Sequence, residues 1–238
     1  MAKLPHWLPV IVSTDHALRI RRVGLDLDEV TSLITLAIAE DLDGGVDITT
    51  VSTVPLEQRS TLNLTARKAG VVSGAVVAAA VIDLVSQHTA DIEIVIPDGM
   101  EVAAGDVIVR ATGTTLSLLT AERTALNFLC HLSGIATLTS EWVHRLEGTN
   151  AKVRDTRKTT PGMRKMEKYA VTCGGGVNHR MSLSDAALIK DNHIVAAGGV
   201  VAAFDAVRRK FPEAAVEVEV DSMAQLHEVV AEIGRAHV

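Results

Sequence analysis

Residues 185–222 read DAALIKDNHIVAAGGVVAAFDAVRRKFPEAAVEVEVDS, and this stretch decides the architecture. AALIKDN (Ala186–Asn192) and VEVEVD (Val216–Asp221) are short strand candidates, and Val200–Lys210 between them has a helical pattern. Strand, helix and strand in succession imply a parallel βαβ unit. In both strands the polar and charged residues gather toward the C-terminal end, the edge where parallel barrels build their sites from βα loops. VEVEVD places Glu217, Glu219 and Asp221 on one face and Val216, Val218 and Val220 on the other. Acids on an inward barrel face are costly unless paired or used, and their stagger suits ribose hydroxyls or Mg2+. The alternative is an exposed edge strand.

Upstream, AKVRDT (Ala151–Thr156) is a further strand candidate, followed by a helical stretch near Met163–Val171. Thr115–Leu146 has a helical pattern with a break expected at Gly134. The first half differs. Val30, Leu33, Ile34 and Ala37 recur at helical spacing within Asp28–Ala39. Thr61–Ala66, Asp91–Ile96 and Asp106–Ala111 read as strands, and Ala75–Val85 as a packed helix. PDG (Pro97–Gly99) is turn chemistry. A small sheet with helices on one face is therefore expected before the βαβ region.

The 238 residues suffice for one large or two modest domains. Apolar residues make up 47% and aromatics 3%, so the core material is Ala, Val, Leu and Ile, the usual filling of α/β layers. A net charge of −6 argues against general nucleic-acid binding. Cys130 and Cys173 cannot form a disulfide framework and read as reduced thiols in a cytosolic protein. The early apolar run Leu8–Val12, broken by Pro9, is too short for a signal or membrane segment. Met1–Gly24 carries no readable signal. EDLDGGVDITT (Glu40–Thr50) reads as a polar loop, and calcium is excluded because Ser52 stands where a bidentate Glu is needed.

Charge is concentrated. Residues 151–193 hold nine Lys or Arg against four Asp or Glu, a net +5 in an otherwise acidic chain, which suggests a small anionic ligand. Arg164, Lys165 and Lys168 read as a solvated helix face. Arg157, Lys158, His179, Arg180 and Lys190 stand beside turns or strand ends and are the stronger candidates. Gly174–Gly176 lets the backbone approach a ligand or take positive φ just before VNHR (Val177–Arg180). It lacks the Lys and Ser or Thr of a P-loop.

These residues resemble one family, the carboxylating nicotinate-nucleotide pyrophosphorylases, or quinolinate phosphoribosyltransferases. The resemblance is carried in family order by EDLDGGVDITT, ARKAGVVSG (Ala66–Gly74), LTAERTALNFLCHLSGIAT (Leu119–Thr137), RDTRKTTPGMRKMEKYAV (Arg154–Val171), GGGVNHR, DAALIKDNH (Asp185–His193) and EVEVDS (Glu217–Ser222). It implies an α/β protein: residues 1–25 an unassigned extension, 26–135 an open-faced α/β sandwich with part of a long helical linker, 136–238 an incomplete α/β barrel. It implies that quinolinate and phosphoribosyl pyrophosphate (PRPP) give nicotinate mononucleotide, pyrophosphate and CO2 in NAD biosynthesis. It also implies Mg2+ with PRPP and no organic cofactor, a cytoplasmic homodimer with shared sites, higher oligomers left open, and neither nucleic-acid nor membrane partners. Arg123 resembles the residue lent across the dimer to the substrate carboxylate. Thr156, Arg157, Lys158, His179, Arg180, Lys190 and Glu219 resemble the rest of the binding set. Lys158 suits the PRPP phosphates, Glu219 the ribose and Mg2+, and Lys158, Lys190 and Glu219 are the catalytic candidates.

The resemblance departs at the end. The family continues past EVEVDS to a strand with a second ribose-facing Asp and to Ser/Gly-rich loops for the 5′-phosphate, whereas here the sequence reads on to Arg235-Ala236-His237-Val238. The difference is roughly two βα units. The natural gene product is expected to continue further, and the 238-residue chain to bind quinolinate but PRPP weakly or not at all. The alternatives are a paralogue acting on another ligand and a catalytically dead binding protein.

Overall fold

The structure, a computed structural model, describes residues 11–233. Leu8–Pro9 and the final residues Arg235–Val238, on which two of the expectations above rest, lie outside the described residues. The chain forms two compact units, Met1–Asn178 and His179–Val238.

The first unit comprises α1 (Thr14–Arg22), α2 (Leu27–Leu42), α3 (Ile48–Thr53), β1 (Arg59–Thr65), β2 (Gly70–Val71), α4 (Ala75–Val85), β3 (Asp91–Ile94), β4 (Glu101–Val102), β5 (Val107–Thr114), α5 (Thr115–Arg145) and α6 (Arg164–Cys173). β1, β5 and β3 form an antiparallel sheet in that order, and β2 pairs with β4. The register sets Leu62 opposite Ala111 and Leu64 opposite Val109. The expected alternation is met: Leu64, Val109 and Ala111 are buried, while Thr61 and Thr112 share a hydroxyl hydrogen bond of 3.0 Å on the exposed face. All of α4 is buried, as a helix apolar all round requires. It packs on β3 and β5 and against α1, α2 and α5. Its one acid, Asp83, accepts from Ser13 N at 2.8 Å and meets His88 Nδ1 at 2.9 Å, which ties α1 to α4. The PDG turn supplies Asp98, which accepts from Ala75 N at 2.7 Å and from the Tyr169 hydroxyl at 3.0 Å, linking the start of α4 to α6.

Three local expectations are corrected. Gly134 does not break the helix; α5 runs unbroken from Thr115 to Arg145. A helical glycine costs only about 1 kcal/mol, and Leu132 and Ala136 on either side of it are fully buried. EDLDGGVDITT is not all loop. Its first residues complete α2, Asp43 takes a left-handed C-cap (φ 43°), and Asp47 caps α3 by accepting from Thr50 N at 2.9 Å. AKVRDT forms no strand. It contributes one parallel bridge, Arg154 to Val177, in which Asp155 N donates to Val177 O at 3.1 Å.

α1 lies within the segment that the sequence left unassigned. It buries Ile20 in the core and His16, whose Nδ1 has no hydrogen-bond partner among the described residues. Burial pushes the His16 imidazole below its ordinary value of 6.5, against the opposing pull of Asp83 and Asp15 and with Arg19 and His88 acting in the same direction as burial. Below that value the unfolded chain binds the proton that the folded chain refuses, so stability falls as the pH drops through the ordinary histidine range. His16→Gln is expected to flatten the fall in melting temperature between about pH 7 and pH 5. An unchanged slope would assign that fall to other groups.

The second unit contains β6 (Ala187–Ile189), α7 (Asp191–Ala197), α8 (Val200–Lys210), β7 (Val216–Val218) and α9 (Met223–Ile233). β6 and β7 are parallel, with Ala187 opposite Val216, Leu188 opposite Glu217 and Ile189 opposite Val218. The helices between them complete the expected βαβ unit over a small core of Ile189, Ile194, Val200, Ala203 and Val229. No helix among the described residues is long and apolar enough to cross a membrane.

Candidate active site

Parallel pairing brings the residues that follow β6 and β7 to one edge. Glu219 N donates to Ile189 O at 2.9 Å, which sets Glu219 beside Lys190. Lys190 Nζ lies 3.0 and 3.1 Å from the two Glu219 carboxylate oxygens. The Lys190 backbone caps α7, its N–H donating to His193 Nδ1 at 3.0 Å. Glu217, on the same strand face as Glu219, meets His179 Nε2 at 2.9 Å. The valines opposite pack on the core of this unit, and both acids are exposed and paired. The Lys190 and Glu219 side chains are 44% and 53% exposed. A pair so open to water is worth about 0–1 kcal/mol. A substrate anion can therefore take Lys190 from Glu219 at little cost. Arg180 donates through Nη1 to Ala186 O at 2.7 Å, while its Nε is buried without a partner among the described residues.

In the first unit, Thr156, Arg157 and Lys158 stand in the segment between the Arg154 bridge and α6. Lys158 N donates to Thr156 Oγ1 at 3.0 Å, a hydroxyl turn that leaves both side chains exposed. Arg157 is half-buried, and its Nε, like that of Arg180, is buried with no partner among the described residues. The segment is anchored by two residues of α6, Lys168 and Glu167. Lys168, expected on a solvated face, is buried and ion-paired with Asp155, whose side chain is 7% exposed. Met166 and Ala170 of the same helix are buried too, but at 3.6 residues per turn they lie across α6 from Lys168, so no apolar periodicity signals its burial. Glu167 is also buried. Its carboxylate accepts from Thr160 N at 3.1 Å and meets His131 Nε2 at 2.9 Å. Burial pushes the Glu167 carboxyl up, but the hydrogen bonds from Thr160 and His131 outweigh it and hold the group below its ordinary value.

Gly174 and Gly176 serve packing, and the positive φ that the sequence allows falls on Gly175. A Cβ at Gly174 would lie 2.3 Å from Ala136 O, and one at Gly176 would lie 2.9 Å from Thr139 Cγ2, both on α5. Only Gly175 takes positive φ, 84°. The glycines thus let the chain leaving α6 lie close against α5 before it reaches Val177.

Arg123 is exposed on α5 and lines a cleft of about 690 Å3 with Arg67, Lys68, Cys130, Ser133 and Thr137. Neither Arg157 nor Lys158 lines that cleft.

The family model for the quinolinate phosphoribosyl transferase N-terminal domain matches residues 47–133, and that for the C-terminal domain matches residues 135–236. The chain is 48% identical over 208 residues to a carboxylating nicotinate-nucleotide pyrophosphorylase of Mycobacterium leprae (strain TN), covering 87% of this chain and 73% of that protein. It is 38% identical over 206 residues to a decarboxylating quinolinate phosphoribosyltransferase of Nicotiana tabacum, covering 85% of this chain and 58% of that one. The crystal structure of NadC from Streptococcus pyogenes superimposes with a TM-score of 0.82 at 40% identity, covering 87% of this chain and 73% of that chain.

Proposed function

The chain belongs to the quinolinate phosphoribosyltransferase family, and on that premise we propose that it joins quinolinate to the phosphoribosyl group of PRPP in NAD biosynthesis, yielding nicotinate mononucleotide, pyrophosphate and CO2. The observation that carries this reading is the Lys190–Glu219 contact at the C-terminal ends of two parallel strands. The reaction needs a cation for a substrate carboxylate and a carboxylate for the positive ribose carbon, and that contact offers one of each. The carboxylating names of the relatives favour this reading over a paralogue with another ligand.

Quinolinate carries two adjacent carboxylates. Arg157 and Arg180 bind them through planar two-pronged forks, supported by His179 and Lys190, with Arg123 supplied by the second subunit of a homodimer. Support for that last role is the exposure of Arg123 in a basic cleft apart from Arg157 and Lys158. As the bond from ribose C1′ to pyrophosphate breaks, positive charge grows on the ribose, and Glu219 stabilises it. The pyridine nitrogen then forms the new bond to C1′. The adjacent carboxylate leaves as CO2, its bonding electrons stay on the ring carbon beside the cationic nitrogen, and a proton takes its place. The ring is its own electron sink, so no organic cofactor is required.

Lys158 and Thr156 serve the phosphate groups. Mg2+ would be held through one or two carboxylates and substrate phosphates rather than in an all-protein cage. Glu219, exposed at its strand end, fits that role, and no cluster of three potential metal ligands occurs among the described residues. When bound with PRPP, Mg2+ supplies neutralisation of the leaving pyrophosphate. Cys130 and Cys173 are free thiols, which agrees with a cytoplasmic setting.

The test is incubation of the protein as its gene encodes it with carboxyl-labelled quinolinate, PRPP and Mg2+. Labelled CO2 and nicotinate mononucleotide are expected in equal amounts, with neither formed when PRPP is omitted. Release of CO2 without PRPP, or no binding of quinolinate at all, would contradict the assignment.

A further inference from the structure

Two adjacent residues of α6 hold the two ends of the segment that carries Thr156, Arg157 and Lys158. At its start, Lys168 Nζ donates to Asp155 Oδ1, and these side chains are only 1% and 7% exposed. Asn178, with its amide nitrogen turned toward them, donates to Asp155 Oδ2 at 2.6 Å and to Lys168 O at 2.9 Å. At its end, Thr160 N donates to Glu167 Oε2, whose partner oxygen meets His131 Nε2 of α5. Thr156, Arg157 and Lys158 lie between these anchors.

A buried ion pair is a poor stability device. Desolvating both charges offsets most of their attraction, and an apolar pair of similar volume is often as stable. What such a pair does supply is fixed geometry. A loop that must be ordered by its ligand loses affinity to the cost of ordering, and one held in place beforehand does not. We propose that Glu167 and Lys168 are positioning residues: through Thr160 and Asp155 they preset the Thr156–Lys158 segment for the substrate anion. The proposal rests on the role given above to Arg157 in binding quinolinate.

The experiment is calorimetric titration of quinolinate into the full chain, with folding of every variant checked by its melting curve. Failure of the wild-type chain to bind quinolinate would overturn the functional reading beneath. Given wild-type binding, the paired variant Asp155→Asn/Lys168→Met, which leaves no lone buried charge, is expected to weaken quinolinate about tenfold. In an Arg157→Ala background most of that loss should vanish, because the pair acts through Arg157. Unchanged affinity, or the same loss in both backgrounds, would overturn the positioning role and leave a purely structural pair. Glu167 provides the second test, which decides the matter if the paired variant does not fold. Glu167→Ala should weaken quinolinate, and Glu167→Gln, which keeps an acceptor for Thr160 N, should restore most of the affinity. Equal losses for both Glu167 variants would contradict the proposal.

Discussion

In the protein as its gene encodes it, Arg123→Ala and Lys190→Ala are each expected to abolish turnover, and a mixture of the two, after subunit exchange, is expected to recover part of it. The expectation follows from a homodimer in which Arg123 serves the partner's site and Lys190 its own. A mixed dimer then rebuilds one intact site, carrying neither substitution, and one that carries both. With equal amounts and free exchange, half the dimers are mixed, so about a quarter of the wild-type sites should return. Arg123 is exposed on α5 in a cleft lined by Arg67 and Lys68. Its removal therefore deletes a surface cation and should leave the fold intact. Exchange is followed by mass spectrometry of differently tagged subunits. Proven exchange without recovered activity would place Arg123 in the site of its own subunit.

Arg157→Lys keeps the charge and loses the fork. The Arg157 Nε is buried with no partner among the described residues, and the segment around it is fixed through Asp155 and Thr160. A lysine ammonium in this fixed frame offers a point charge where two parallel donors are needed. The loss of a charge-assisted hydrogen bond costs about 1.5–3 kcal/mol, roughly tenfold to a hundredfold in affinity for quinolinate. The melting temperature should hardly move, since the exchange preserves charge and most of the side-chain length. Wild-type affinity in Arg157→Lys would make the residue a structural charge.

The legible parts of the sequence were those where a periodic pattern met burial. Ala75–Val85 and Val200–Lys210 are helices with the expected bounds, because their apolar residues are dense or amphipathic enough to decide. Of VEVEVD only Val216–Val218 is strand, and across the stretch the valines pack while the acids are exposed. Lys190 and Glu219 met as parallel pairing requires. What misled were residues whose role depends on a partner distant in sequence. Lys168 looks solvated until Asp155, thirteen positions earlier, is brought to it. Gly174 and Gly176 look ligand-facing until α5 is laid against them. Gly134 looks like a helix stop until the packing on both sides of it is counted. The short helices α1, α3 and α7 had too few periodic residues to stand out, and each depends on a tertiary or capping contact.

Substrate choice tests the central claim most directly. Quinolinate and nicotinate share the pyridine ring and differ by the carboxylate beside the ring nitrogen. The set Arg157, His179, Arg180 and Lys190 is proposed to bind two carboxylates. Titration of the chain with each acid under the same conditions should show quinolinate bound more tightly by about 1.5–3 kcal/mol, the cost of a lost charge-assisted hydrogen bond. In the protein as its gene encodes it, only quinolinate should yield nicotinate mononucleotide when PRPP and Mg2+ are present. Equal affinity for the two acids, or equal turnover, would contradict the account.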